Sequence, residues 1–177
     1  IRYENYTRGI DAVFNYGIFN FNAPNFILRF ALGETDYQLG VTNYERFAAE
    51  YYYLERDVWQ QELNLTVQEK EKLIMLLEEN YRPENRIYRY NFFYDNCATR
   101  PRDLIEKSID GTLQYAGDMT DTDSGISFRD LLHKYSKGHP WSRFGMDLCM
   151  GSQADKTINR RLMMFVPFYV QEYFNQA

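Results

Sequence analysis

Cys97 stands where a thiol could do covalent chemistry. It falls in the run Tyr90-Asn91-Phe92-Phe93-Tyr94-Asp95-Asn96-Cys97-Ala98-Thr99-Arg100-Pro101-Arg102-Asp103-Leu104-Ile105, an aromatic stretch that breaks at Asp95-Asn96 and resumes with helical spacing in Leu104, Ile105 and Ile109. Asn96 is a favourable helix cap, so the thiol is expected at or just before a helix N-terminus. Unpaired N–H groups and the positive end of the macrodipole favour a thiolate there. The same N–H groups could stabilise the oxyanion formed when sulfur attacks an acyl carbon. Arg100 and Arg102 are expected to lower the thiol pKa further if they face it. Pro101 has no N–H and leaves the Cys97 carbonyl without a helical partner, which moves the expected start of regular helix toward Thr99 and puts Cys97 on the turn. A lone cysteine is more often a small buried hydrophobe. Asn96 before it and two arginines after it argue against that here.

A cysteine nucleophile needs a base within reach and a polar group to hold the base. The chain has two histidines. His133 lies beside the apolar face of an expected helix and reads as structural. His139, between Gly138 and Pro140, is expected in a loop just before Trp141, where a base could sit. Asp95 and Asn96 would orient the turn or a substrate. Arg100, Arg102 and Trp141 complete the candidate substrate-binding set, while Asp147 and Asp155 read as capping and packing residues. Asp121-Thr122-Asp123-Ser124-Gly125 has the flavour of a calcium loop, but its glycine comes one place early and Leu132 stands where the closing glutamate should be. No metal and no cofactor is expected, and no glycine-rich phosphate loop occurs. The 25 acidic residues offer no spacing that singles out a glycosidase pair.

The 177 residues are enough for one domain with its own core, and 45% of them are apolar. Aromatic residues make up 18%, with 16 Tyr and 13 Phe, which points to a wide, half-wet aromatic layer. A net charge of -5 without a basic run excludes a nucleic-acid footprint. Cys97 and Cys149 form no CxxC pair, and a bridge between them would quench the nucleophile. The most apolar segment, Leu162 to Val170, is far below the ~20 residues needed to span a bilayer. The chain is therefore expected to be peripheral to a membrane at most, and monomeric.

The elements that must position Cys97 follow from periodicity and caps. Ala12 to Phe21 reads as a strand pair or a bulged strand around Gly17, and Asn25 opens a short helix stopped by Gly33. Tyr37 to Val41 is an expected strand. Asn43 to Leu54 has helical spacing, although its tyrosines leave strand open, and Val58 to Leu65 alternates like a strand. Thr66-Val67-Gln68-Glu69 is a capping box opening a helix that ends near Asn80. Ile87 to Phe93 is expected to be the strand leading into the cysteine turn, and Asp110-Gly111 ends the helix that follows it. Asp118 to Gly125 is a polar loop. Ser127 to Asp130 opens another helix, stopped by Gly138, and a final helix or broken pair covers Ala154 to Phe174 with Pro167 in a first turn.

The Asn-Cys segment, Tyr-Asn-Phe-Phe-Tyr-Asp-Asn-Cys-Ala-Thr-Arg-Pro-Arg-Asp, resembles the signature of the Lnb-type N-terminal periplasmic domain family. Phe14-Asn15-Tyr16-Gly17-Ile18-Phe19, Leu63-Asn64-Leu65-Thr66, Pro140-Trp141, Gly145-Met146-Asp147 and Gly151 resemble it too. That family is similar to circularly permuted NlpC-type papain-like enzymes, in which the histidine precedes the cysteine. The resemblance implies an α+β fold with a small antiparallel sheet packed against helices, in a single domain over 1–177. It implies a periplasmic or cell-envelope location. In the family a Gly-His pair precedes an Ile-Arg-like dipeptide, and this chain opens at Ile1-Arg2. The resemblance thus places the base upstream of Ile1, in a domain truncated at its N-terminus. His139 is the alternative, in the order of unpermuted papain-like enzymes. The implied activity is that of a cysteine hydrolase or acyltransferase working through a Cys97 thioacyl intermediate on an envelope lipid, lipoprotein or peptide, peptidoglycan included. The other reading is a non-catalytic envelope module whose tyrosine-lined cleft binds lipid, glycan or peptide.

Overall fold

A computed structural model describes residues 1–19, 24–122 and 125–177. Among these residues four antiparallel strands form a sheet in the order β1 (Arg2–Asn5), β2 (Ile10–Ile18), β3 (Asp36–Asn43) and β4 (Ile87–Arg89). With the helices this makes an α+β fold. Register is set by residues facing inward, Phe14 opposite Val41 and Tyr37 opposite Tyr88. The expected bulge lies between Asn15 and Ile18, where the pairing shifts and the Asn15 side chain accepts from the Gly17 N–H at 2.8 Å. A Cβ on Gly40 would meet Ile18 Cδ1, so the end of the Ile18 side chain lies over the place where Gly40 has none.

The fold gathers into two compact units, residues 1–20, 36–89 and 100–113 in the first, and 21–35, 90–99 and 114–177 in the second. The first holds the sheet, α2 (Tyr44–Tyr53), α3 (Val67–Tyr81) and all but the first residue of α4 (Thr99–Ser108). Its buried side chains include Phe14, Tyr37, Leu39, Leu73, Leu77, Leu104 and Ile105. Asn43 caps α2 by accepting from the Glu45 N–H, which settles that segment as helix. Two expectations fail here. Residues 58–65 form no strand, because none of the four strands pairs with them, and period-two alternation without a neighbour leaves the ladder groups unpaired. The strand expected over Ile87–Phe93 stops at Arg89, because Asn91 and Asp95 pair with each other and turn the chain between them.

Thr66 and Glu69 form the expected capping box of α3, and buried Glu69 also accepts from the Asp110 N–H at 3.0 Å. The N–H and hydroxyl of Thr66 and the N–H of Asp110 hold its carboxyl below the usual carboxylate range. A lowered folded pKa contributes stability above the unfolded value near 4.5, lost as pH falls through the folded one. Glu69→Gln is therefore expected to lower the urea midpoint at pH 7, and the gap to wild type should close below pH 4.5; a gap that stays constant with pH would refute this account.

The second unit holds α1 (Phe26–Ala31), α5 (Phe128–Tyr135), α6 (Pro140–Met150), α7 (Arg160–Met163) and α8 (Pro167–Asn175). Its core gathers Phe93, Phe128, Leu131, Ile158, Met164, Phe165 and Tyr169. Phe93 stacks on Phe128 with ring centroids 4.2 Å apart, and Phe165 meets Phe128 edge-on at 5.2 Å. Ser127 and Asp130 cap α5, and Pro167 opens α8 as expected. Of the calcium-like loop, Asp123 and Ser124 lie outside the described residues; no metal-binding cluster occurs among those described.

Candidate functional site

The cysteine turn is built by one buried side chain. Asn96 is 3% exposed, and its Oδ1 accepts from the N–H groups of Ala98 at 2.7 Å and Thr99 at 2.9 Å. Its Nδ2 donates to the carbonyls of Phe92 at 2.8 Å and Phe165 at 2.9 Å. The Asn96 N–H donates in turn to Thr99 Oγ1 at 2.8 Å. Asn96 thus caps the helix and ties the turn to the core, and α4 begins at Thr99. Cys97 lies on that turn as a free thiol with an exposed side chain. Cys149 is free and exposed as well, so the two sulfurs form no bridge.

The expected depression of the thiol pKa is overturned. Cys97 reaches solvent on one side, yet the protein crowded around its sulfur raises the pKa above the usual thiol value, against an opposing contribution from its own N–H. The physical reason is in the turn. The Ala98 and Thr99 N–H groups that were to stabilise a thiolate are spent on Asn96 Oδ1. The arginines have other work. Arg100 lies over the Tyr88 ring, 3.7 Å from its centroid, and Arg102, 7% exposed, turns its guanidinium on Asp103 at 2.7 Å. Asp95 contributes backbone bonds to Asn91 in both directions, at 2.9 and 3.0 Å.

His139 is not in a loop proper but at the N-cap of α6, its N–H bonded to the Ser136 carbonyl and its carbonyl to the Arg143 N–H. Its ring is exposed and carries no hydrogen bond among the described residues. Trp141 is 84% exposed on the same helix. His133 has both ring nitrogens engaged. Nε2 meets Asp147 at 2.8 and 3.0 Å, and Arg143 donates to Nδ1 at 2.8 Å, which assigns the Nε2–H tautomer. Arg129 bonds Asp147 and Asp155, each at 2.6 Å. Arg129 first, and then His133, hold the Asp147 carboxyl below its ordinary range. Among the described residues neither imidazole is hydrogen-bonded to Cys97 Sγ.

The first unit holds a residue that sequence reasoning missed. Tyr16 is 2% exposed, and its hydroxyl has no partner among the described residues. Tyr88 donates to the Tyr16 carbonyl, and burial raises the Tyr16 phenol pKa despite the nearby Arg100 charge. The family-like run from Phe14 to Phe19 contains Tyr16 but does not show that its hydroxyl is secluded, because that depends on how β2 and β4 are placed within the sheet.

A family described as the Lnb N-terminal periplasmic domain matches residues 1–134. The chain belongs to this family. Membership in the Lnb N-terminal periplasmic domain family gives it a periplasmic or envelope location. No helix among the described residues is long and apolar enough to cross a membrane. The match contains Asp95, Asn96, Cys97, Arg100 and Arg102, whereas His139, Trp141 and the Gly145-Met146-Asp147 stretch lie beyond it. No curated protein and no solved structure matches the chain.

Proposed function

We propose that this periplasmic domain is a cysteine acyl-transfer module of papain-like type, in which Cys97 attacks an acyl or amide carbon of an envelope lipid, lipoprotein or peptide. The observation that carries the reading is a free, solvent-reaching thiol on a turn fixed by the hydrogen bonds of buried Asn96. The sulfur displaces the leaving group to give a thioester, and the thiol proton leaves with the departing group by way of the base. Water or an amine then takes the acyl group and returns the proton to sulfur. Cys97's own N–H, beside its sulfur, is the nearest oxyanion donor, since the next two N–H groups are taken. A thiol with a raised pKa is a resting nucleophile that works only when a base removes its proton. His139 is the histidine with an unengaged ring, because both nitrogens of His133 are bonded.

Two measurements test this. Iodoacetamide should alkylate Cys97 at pH 7 more slowly than free cysteine, with a rate still climbing at pH 9, the ordinary thiol value for this residue; a plateau near neutrality would contradict the raised pKa. Exposed to a p-nitrophenyl acyl ester, the protein should show a thioester on Cys97 by mass spectrometry, lost in Cys97→Ala. His139→Gln should slow its formation by about 10²-fold, with partial recovery in added imidazole. Acylation of Cys97 no faster than that of Cys149 would defeat the proposal. The raised thiol pKa also favours a second reading, a binding module in which Cys97 packs the turn and does no chemistry. On that reading Cys97→Ala keeps full ligand retention.

A further inference from the structure

Helix α6 is amphipathic the wrong way round for a helix packed on a core. None of its residues is buried. At 100° per residue Trp141, Phe144 and Leu148 share one stripe, and they are 84%, 63% and 74% exposed. The opposite side carries the half-buried Met146, Asp147 and Met150. Met150 packs on the core, while Asp147 is gripped by Arg129 and His133. The helix is therefore held by the side that carries Met150 and Asp147, and it offers Trp141, Phe144 and Leu148 outward. Beside the stripe opens a cavity of about 300 Å³ lined by Ser136, Pro140, Arg143, Phe144 and Asp147. Arg143 spends Nη2 on His133 and keeps its other guanidinium nitrogens without a partner among the described residues.

The charge around the stripe says what covers it. Residues 134–150 carry Lys134, Lys137 and Arg143 against Asp147 alone, a net +2 in a chain whose net charge is -5. A second copy docking face to face would set this positive patch against itself, which disfavours a symmetric dimer. A Trp, a Phe and a Leu on one exposed side, with Lys137 just ahead of the helix and an exposed Arg143 in its first turns, fit a helix lying in the plane of a membrane interface. Its length of about 16 Å suits that role and not a span.

We propose that α6 docks this domain on an anionic phospholipid surface, with Trp141, Phe144 and Leu148 entering the headgroup boundary and Lys137 and Arg143 meeting the phosphates. This holds whether or not Cys97 is catalytic. The family match ends at residue 134, so the docking helix lies in the part of the chain beyond it.

The test is flotation of the whole chain with vesicles of phosphatidylglycerol and phosphatidylcholine, and with vesicles of phosphatidylcholine alone. Trp141 emission is read in a Trp59→Phe background. The expected result is flotation with the anionic vesicles, a blue shift of Trp141, and weaker binding at high salt. Leu148→Glu should weaken partition at least ~10-fold, and Arg143→Gln about fivefold on anionic vesicles only. Leu148 faces solvent, Arg143 is exposed while bonded to His133, and circular dichroism checks that each variant is folded. Equal flotation of wild type and Leu148→Glu would overturn the proposal. So would Trp141 emission that responds to inorganic phosphate and not to vesicles. Sedimentation as a dimer that Leu148→Glu dissociates would assign the stripe to a second copy and overturn it as well.

Discussion

Phe128→Ala is expected to cost about 3–5 kcal/mol, the range for emptying a fully buried aromatic position. Phe128 has no exposed surface and is the ring on which the second unit converges. Phe93 stacks on it, and Tyr94 and Phe165 meet it edge-on at 5.5 and 5.2 Å. Removing the ring forfeits its transfer free energy and leaves a void bounded by rigid aromatic faces that collapse poorly into it. Phe128 is also the first residue of α5, next to the Ser127–Asp130 capping box, so any collapse must move a capped helix start. Phe128→Leu keeps much of the volume and should cost roughly 1–2 kcal/mol. The measurement is urea unfolding followed by near-ultraviolet circular dichroism, which reports aromatic packing. A loss below about 1 kcal/mol for alanine would mean that the ring is not the centre of this core.

How much of this was legible in the sequence depends on whether the signal was local. The capping boxes at Thr66 and Ser127, the cap at Asn96, the bulge at Gly17 and Pro167 in a first turn are read from two to four neighbouring residues, and all are present. The start of α4 at Thr99 also follows from one residue, Pro101. Non-local facts were hidden. Alternation over residues 58–65 cannot say whether a partner strand exists. Helix α6 was passed over because a helix is sought by its buried stripe, and here the stripe faces outward. The thiol pKa was misread in sign because a helix N-terminus advertises N–H groups, while the sequence does not say that Asn96, the very residue recognised as the cap, consumes them. The engagement of His133 by Asp147 and Arg143 brings together positions from two helices that sequence spacing does not relate.

Asn96→Ala is expected to destabilise the protein by about 3–4 kcal/mol and to release the cysteine turn. Alanine supplies no acceptor for the Ala98 and Thr99 N–H groups and no donor for the Phe92 and Phe165 carbonyls. The Ala98 and Thr99 groups and the Phe165 bond are buried, so water is poorly placed to replace what is lost. Asn96→Asp separates capping from tethering. Aspartate keeps both cap bonds, and if capping were the whole role it would restore stability. Its second oxygen, however, would face two carbonyls where Nδ2 now donates, so at pH 7 it should be no more stable than alanine. It should gain as pH falls and the carboxyl, protonated, donates to one of them. Full stability of Asn96→Asp at pH 7 would show that the Phe165 tether does not matter. The functional consequence is measurable on the same proteins. Crowding around the sulfur raises the Cys97 pKa, and that crowding exists only while the turn is held against the core. In folded Asn96→Ala the iodoacetamide rate at pH 7 should therefore rise toward that of free cysteine, even as acyl transfer falls. A more reactive thiol with less catalysis would mark Asn96 as the residue that positions Cys97.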